Sequence, residues 1–452
     1  MVARWMSPLL IVVSSIVIPV LTEATDALPG ERLWIARYDG PAHRSDIPSQ
    51  VAVSPDGLTL FVTGDSYRPG CSNWATVAYS AKGEELWTAR YDGAEHWCDT
   101  VAGIAVSDDG KRVYVTGQTQ ESDAGDITTI AYDAVDGSEL WVVRESTGLD
   151  IGADTAAGVA THGTNVYVVG TVNTRCDESI DLCYYKMVVA SYDGQTGQRR
   201  WIDEYESAAS TSSSVGVFGS GLTVGAGDSV YVVGETATGN VETLAYDGAS
   251  GSRRWVAHSK DDYNANAIET SPDGGIVYIA AISTSNRYSL TAYAVSDGSE
   301  LWRVEKGSAT FGTPYIGVGP ARDEVFLAAE SKEHYLVIAI DADTGSNVWR
   351  ARYDAEGRVA DFPAGIVVSA DGEEVVVTGT AGRPGNWGST YATVAFDGAN
   401  GEQLWVEKYG FGRLGNDHYA TAIAASPEGG LYVTGESEGP KEWSDYATIR
   451  YG

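Results

Sequence analysis

Short runs in which apolar and polar residues alternate fill most of the chain, and they come in pairs around turn residues. "QVAVSPDGLTLFVTG" (from Gln50), "GIAVSDDGKRVYVTG" (from Gly103), "AIETSPDGGIVYIAA" (from Ala267), "GIVVSADGEEVVVTG" (from Gly365) and "AIAASPEGGLYVTG" (from Ala422) each read as strand, turn, strand. Weaker versions run through Ala160–Gly170, Gly221–Gly234 and Gly317–Ala328. A period of two places alternate side chains on opposite faces of a strand, and Asp and Gly tolerate the left-handed conformation that hairpin turns need. A second hairpin follows each of these. An alternating run such as "TVAY", "TIAY", "TLAY" or "TVAF" leads into a turn such as "DAVDG", "DGQTG" or "DADTG", and then into Gly-x-x-x-Trp. Helical periodicity is absent outside the first thirty residues.

The Gly-x-x-x-Trp pattern recurs at Trp34, Trp87, Trp141, Trp201, Trp255, Trp302, Trp349 and Trp405, at spacings of 47 to 60 residues. Every unit supplies four strands, A to D in chain order, and four-stranded units at this period predict an all-β, eight-bladed β-propeller. Seven units are whole and one is split. Asp445–Gly452, "DYATIRYG", lacks a D strand, and Gly30–Gly40, "GERLWIARYDG", supplies one. The predicted domain therefore spans 28–452, with its eighth blade divided between 28–40 and 417–452. Pairing the two ends closes the ring; an open solenoid of the same repeats would leave both ends as unpaired edges. The eight motif tryptophans are expected to be structural, each lying against the neighbouring blade.

Composition narrows the partners. There are 62 acidic and 30 basic residues, a formal charge of −32. Such a surface repels phosphate backbones and anionic lipid, so no nucleic-acid partner is expected. The N-terminus, "MVARWMSPLLIVVSSIVIPVLTEATDALPG", carries Arg4, an apolar run from Pro8 to Leu21 and small residues. It reads as a secretory signal peptide over 1–27, cleaved near 24–27, and the run is short for a membrane span. The first cysteine is Cys71, so no lipid attachment near the cleavage region and no stable membrane anchor are expected. The expectation is a secreted or periplasmic monomer, in which disulfides can persist.

The wording "YDAVDGSELW", "YDGQTGQRRW", "IDADTGSNVW" and "FDGANGEQLW" resembles the tryptophan-docking motif of eight-bladed quinoprotein-type propellers, the PQQ-like repeats. The stretch Asp99–Gly117 also resembles bacterial propeller repeats of the SBBP type. In the quinone-dependent dehydrogenases of that family the resemblance implies PQQ on a tryptophan floor, a disulfide between adjacent cysteines, and Ca²⁺ held by acidic and amide side chains. This chain has no Cys-Cys pair, so no catalytic residue is carried over, and non-catalytic binding or assembly relatives are the nearer likeness. No cofactor is predicted; PQQ or Ca²⁺ belongs to the alternative reading, a quinone-dependent oxidoreductase or a glycan-active propeller enzyme. No nucleophile motif or zinc-ligand spacing stands out, and "GAGDS" (Gly225–Ser229) reads as a hairpin turn.

In a four-stranded blade the A–B and C–D turns share one face, and the B–C and D–A loops share the other. The second set is longer and more varied, which makes it the expected functional face. All four cysteines fall there, and the repeat register pairs Cys71 with Cys98 and Cys176 with Cys183. The tryptophans outside the blade motif and the leader, Trp74, Trp97, Trp387 and Trp443, also fall there, in consecutive blades of a closed ring. His43, His96 and His418 join them, with Arg68 and Arg383. Aromatic rings beside Arg, His and carboxylates suit a sugar or aromatic ligand, or a protein partner; packing of long loops is the competing reading. Trp74 aligns with Tyr391 and Tyr446, which favours packing for that residue. Asp46, Asp99, Asp154, Asp361 and Asp417 recur at the start of strand A, a pattern of local hydrogen bonding rather than of one special site, with a Ca²⁺-attracting ring as the alternative.

Overall fold

The computed structural model describes residues 28–93, 96–120, 125–145, 154–177, 182–209, 211, 214–259, 262–308, 312, 314–321, 323–355, 360–382, 388–410, 417–439 and 443–452. The leader reading (1–27), Trp387 and Arg383 lie outside the described residues. Among the described residues there are 32 strands and no helix, hence none long and apolar enough to cross a membrane.

The strands form eight antiparallel units of four. Blade 1 shows the plan, with strands A to D at Asp46–Val53, Thr59–Arg68, Cys71–Ser80 and Glu85–Tyr91. Each A strand contacts the next around the ring, and blade 8's A strand (His418–Ala425) contacts blade 1's. The fold is an eight-bladed β-propeller. Its apolar core is divided among the blade interfaces: Phe326, Tyr335 and Trp349 of blade 6, for example, pack with Val375, Val394 and Phe396 of blade 7.

Blade 8 joins the chain ends. Arg32–Tyr38 pairs with Ser444–Tyr451, with Ile35 opposite Ile449 and Tyr38 opposite Tyr446. The Gly30 N–H donates to Gly452 O at 2.9 Å and the Gly452 N–H to Glu31 O at 2.8 Å. In blade 1 the covalent C–D turn makes the same two bonds, Gly83 N–H to Ser80 O at 2.9 Å and Ser80 N–H to Glu84 O at 2.8 Å. The ends thus reproduce a turn without the peptide link.

The motif tryptophans explain the Gly-x-x-x-Trp spacing. Each indole reaches the next blade's C–D turn and lies against that turn's glycine. Trp87 Nε1 donates to Ala134 O at 3.0 Å, and Trp349 Nε1 to Gly398 O at 2.8 Å. A Cβ on Gly137 (φ +71°) would sit 2.6 Å from the Trp87 ring, and one on Gly401 2.5 Å from Trp349, so both the left-handed backbone and the stacked ring require glycine. Trp405 packs on Gly30 in the same way across the joined ends. One glycine thus serves its own turn and its neighbour's tryptophan.

Blades 3 and 4 are linked further. The C strand of blade 3 (Leu182–Asp193) extends beyond its blade and pairs in parallel with the start of blade 4's A strand, Cys183 opposite Ser214 and Tyr185 opposite Gly216.

Candidate ligand-binding face

The carboxylates at the strand A starts hold the loop face together. Asp46 accepts from the Gly40 N–H at 2.7 Å. Asp99 accepts from the N–H groups of Gly93 (2.9 Å) and Gln120 (3.0 Å), and Asp361 from those of Ala355 (2.8 Å) and Gly382 (2.9 Å). Asp154 accepts from Asn173 N–H and Asp417 from Ser389 N–H. Each ties a D–A loop to its own or a neighbouring hairpin. Burial pushes Asp46 up to about 6 and raises Asp99 and Asp361. The backbone-latch role accounts for their recurrence. Asp361 also lies within reach of His334 and Asp354 as a three-residue metal-ligand group, but both of its oxygens already accept backbone N–H bonds.

The same loops place the two turn histidines. In "YDGPAHRSD" and "YDGAEHWCD" the His takes a positive φ, 48° for His43 and 56° for His96. Its Nδ1 meets the carboxylate four residues earlier, Asp39 at 2.7 Å and Asp92 at 2.8 Å. His43 and His96 are thus exposed with matching backbone and carboxylate contacts in consecutive D–A loops.

Both predicted disulfides are present, Cys71–Cys98 and Cys176–Cys183. Around the first, Arg68 donates from Nε to Asn73 Oδ1 at 3.2 Å and from Nη2 to the His96 carbonyl, with Asp92 3.6 Å away. Trp97 stands beside this staple with 43% of its surface exposed. In blade 8, Trp443 is 46% exposed and the Arg44 guanidinium lies 5.5 Å from its ring centroid. Arg44 was missed in the sequence; its place after His43 in a D–A loop facing the blade 8 B–C loop was the available signal.

Two candidates are corrected. Trp74 is 1% exposed: it faces blade 2, packs on Tyr91 at 5.5 Å between centroids, and crowds Gly117. Tyr391 and Tyr446 fill the same place in blades 7 and 8, against Tyr409 and Tyr38. His418 is 4% exposed, because it follows Asp417 and lies in strand A, unlike His43 and His96, which stand in the loops three residues before their Asp. Its Nδ1 lies 2.8 Å from Ser437 Oγ. Neither side chain is available to a surface ligand.

The axis holds a cavity of about 550 Å³ lined by all eight A strands, largely with Gly, Ala and Ile. Glu269 is the one carboxylate among the lining residues, and the sequence reading passed over it.

The described residues define a class of protein: an eight-bladed β-propeller with an axis lined largely by small and apolar residues and the single carboxylate of Glu269, and one face of stapled, aromatic-bearing loops. The model of the PQQ-type repeat family described as outer membrane protein assembly factor BamB matches residues 21–303 and 286–445. The chain belongs to that family. A search of curated proteins finds no match. Among solved structures, quinohemoprotein alcohol dehydrogenase from Comamonas testosteroni is 14% identical with a TM-score of 0.57 over 93% of this chain and 76% of that one. Chaetomium thermophilum Sqt1, bound to the N-terminus of ribosomal protein L10, is 10% identical with a TM-score of 0.60 over 93% and 100%. At these identities the likeness is one of fold. The family resemblance to quinoproteins calls for a tryptophan floor and calcium-binding side chains, whereas the axial lining contains no tryptophan and a single carboxylate. Among the described residues the axis does not fit PQQ.

Proposed function

We propose that the chain is an exported, monomeric binding or scaffolding propeller of residues 28–452, with a cleaved leader over 1–27, that engages a carbohydrate, a cell-envelope component or a protein through its long-loop face. The observation that carries this reading is the exposure of Trp97 and Trp443 on adjacent blades, with Arg44 over the Trp443 ring. An exposed indole loses apolar hydration on stacking against a sugar face or an aromatic side chain, and a neighbouring guanidinium adds directed hydrogen bonds. The loop carrying Trp97 is tied down by Cys71–Cys98 and the Asp99 latch, the Arg44 loop by the Asp46 latch, and Trp443 O accepts from the Gly439 N–H at 3.0 Å, so little ordering entropy opposes binding. From their place in the sequence, Trp387 and Arg383 are also proposed as ligand residues.

The test is a glycan array and an envelope-protein binding screen with the wild type and the Trp97→Ala/Trp443→Ala double variant. A bound ligand should lose at least ~1.4 kcal/mol, about tenfold, in the variant, with an unchanged melting temperature. Equal loss of melting temperature and binding would assign the rings to loop packing. Dye-linked alcohol oxidation after reconstitution with PQQ and Ca²⁺ would replace the reading with an enzymatic one.

A further inference from the structure

Glu269 stands on strand A of blade 5 (Asp262–Thr270) and reaches the axial cavity. The matching positions in the other seven A strands are Ala52, Ala105, Ala160, Thr223, Gly317, Val367 and Ala424. Seven blades therefore pack with a small or apolar residue there, and packing does not require the carboxylate. Nor does an internal partner explain it. Burial pushes its carboxyl up to about 7, and among the described residues no hydrogen bond or neighbouring charge offsets it. A carboxyl held in a narrow cavity without a cation is costly in its charged form. What it lacks is a donor from outside.

The walls say which donor. One carboxylate does not satisfy a divalent cation, which takes six to eight oxygens in the case of Ca²⁺. A primary ammonium carries three N–H donors; besides the Glu269 carboxylate, the cavity wall offers neutral acceptors on other blades at Gln50, Ser220 and Thr421. Glycines and alanines such as Gly158, Gly365 and Ala422 leave room for an unbranched stem and no room-filling polar group to compete with it. The formal charge of −32 draws cations towards the mouth. We propose that the axial cavity binds a primary alkylammonium group, with the Glu269 carboxylate accepting its N–H bonds and the small residues of the A strands enclosing its stem. The site is separate from the loop-face reading and stands or falls without it.

The same chemistry arrives either as a free aliphatic amine or as a lysine side chain on a partner segment. Isothermal titration of the full chain with n-butylammonium and with Nα-acetyl-lysine methylamide, at pH 8 and pH 5.5, tests both. The probes stay protonated across this range, as an ammonium titrates near ~10.4. Tyr278, opposite Glu269 across the hairpin, is raised above the ordinary tyrosine value by burial and stays neutral over this range; Tyr315 also lines the cavity. With half-protonation near pH 7, affinity should fall on the order of 30-fold from pH 8 to pH 5.5, since only the ionised carboxyl is competent. Glu269→Gln, an isosteric change, should weaken n-butylammonium at least about tenfold and melt no lower than the wild type; Glu269→Asp should lie between. Binding of both probes points to a lysine side chain as an admissible source, and binding of n-butylammonium alone to a free amine. No binding, equal binding by Glu269→Gln, or equal binding of tetramethylammonium would overturn the proposal, the last two by showing only attraction to an acidic surface. A carboxyl ¹³C titration of Glu269 gives an independent readout: n-butylammonium should lower its midpoint, and an unmoved midpoint also overturns it.

Discussion

Asp46 is fully buried at the start of blade 8's exit into blade 1, and its carboxyl has exchanged water for the Gly40 N–H. That exchange is incomplete, because burial pushes it up to about 6. A carboxyl that binds its proton more tightly when folded than the ~3.9 of an unfolded chain adds stability that is complete below the unfolded value. The addition is lost as pH rises through about 6. The melting temperature should therefore be higher at pH 5 than at pH 8, and Asp46→Asn, which keeps an acceptor for Gly40, should flatten the slope by on the order of 1–2 kcal/mol. Urea titrations at the two pH values decide it; an identical slope in the variant would place the titration elsewhere. At this scale the sequence was legible where a residue recurred in register. The repeated Asp gave the latch, and the alignment of Trp74 with Tyr391 and Tyr446 gave its burial. His418 was misread because it follows its strand-start Asp417 and belongs to strand A, whereas His43 and His96 stand three residues before theirs, in the loops. Glu269 was passed over because one acidic letter in an alternating run looks like a solvent-facing position.

The hairpins and their turns were readable because a two-residue period and a fixed Gly-x-x-x-Trp spacing are local signals, repeated eight times. The loops were readable only through register, which put Cys71 opposite Cys98 and Cys176 within one loop. The parallel seam of Leu182–Asp193 with blade 4 was invisible, since pairing between blades leaves no period in either segment. The two staples differ in what they constrain: Cys71–Cys98 closes 27 residues and crosses from a B–C loop to a D–A loop, while Cys176–Cys183 closes 7 within one hairpin already in register. Loop-closure entropy then makes the first the larger contributor, about 3–4 kcal/mol against ~2–3. Replacing each pair by serines should lower the urea midpoint in that order. A larger loss from Cys176/Cys183 would mean that the hairpin over blade 4 depends on its staple more than the loop-entropy account allows.

A ring distributes its stability evenly only if every blade interface is made, and the interface between blades 7, 8 and 1 depends on a strand from the far end of the chain. Arg37 shows how firmly that strand is seated: its guanidinium donates to Asp445 Oδ2 at 3.1 Å, Ser437 O at 2.7 Å and Tyr409 Oη at 2.9 Å. Trp34, on the same strand, donates to Ala81 O of blade 1 at 3.0 Å. Removing residues 28–38 would strip both contacts and expose Ser444–Tyr451 as an unpaired edge, a template for association. That chain should lose its single cooperative melt and aggregate, and a synthetic peptide of residues 30–38 should restore the melt. Because the joined ends copy the hydrogen bonds of a covalent C–D turn, where the break lies should not matter. A circular permutant that links Gly452 to Gly30 through a two-residue turn and opens at the equivalent turn of blade 4, between Ser250 and Gly251, should melt cooperatively near the wild-type temperature. If the permutant failed while the truncated chain kept its cooperative melt, closure by paired ends would not be what holds the ring.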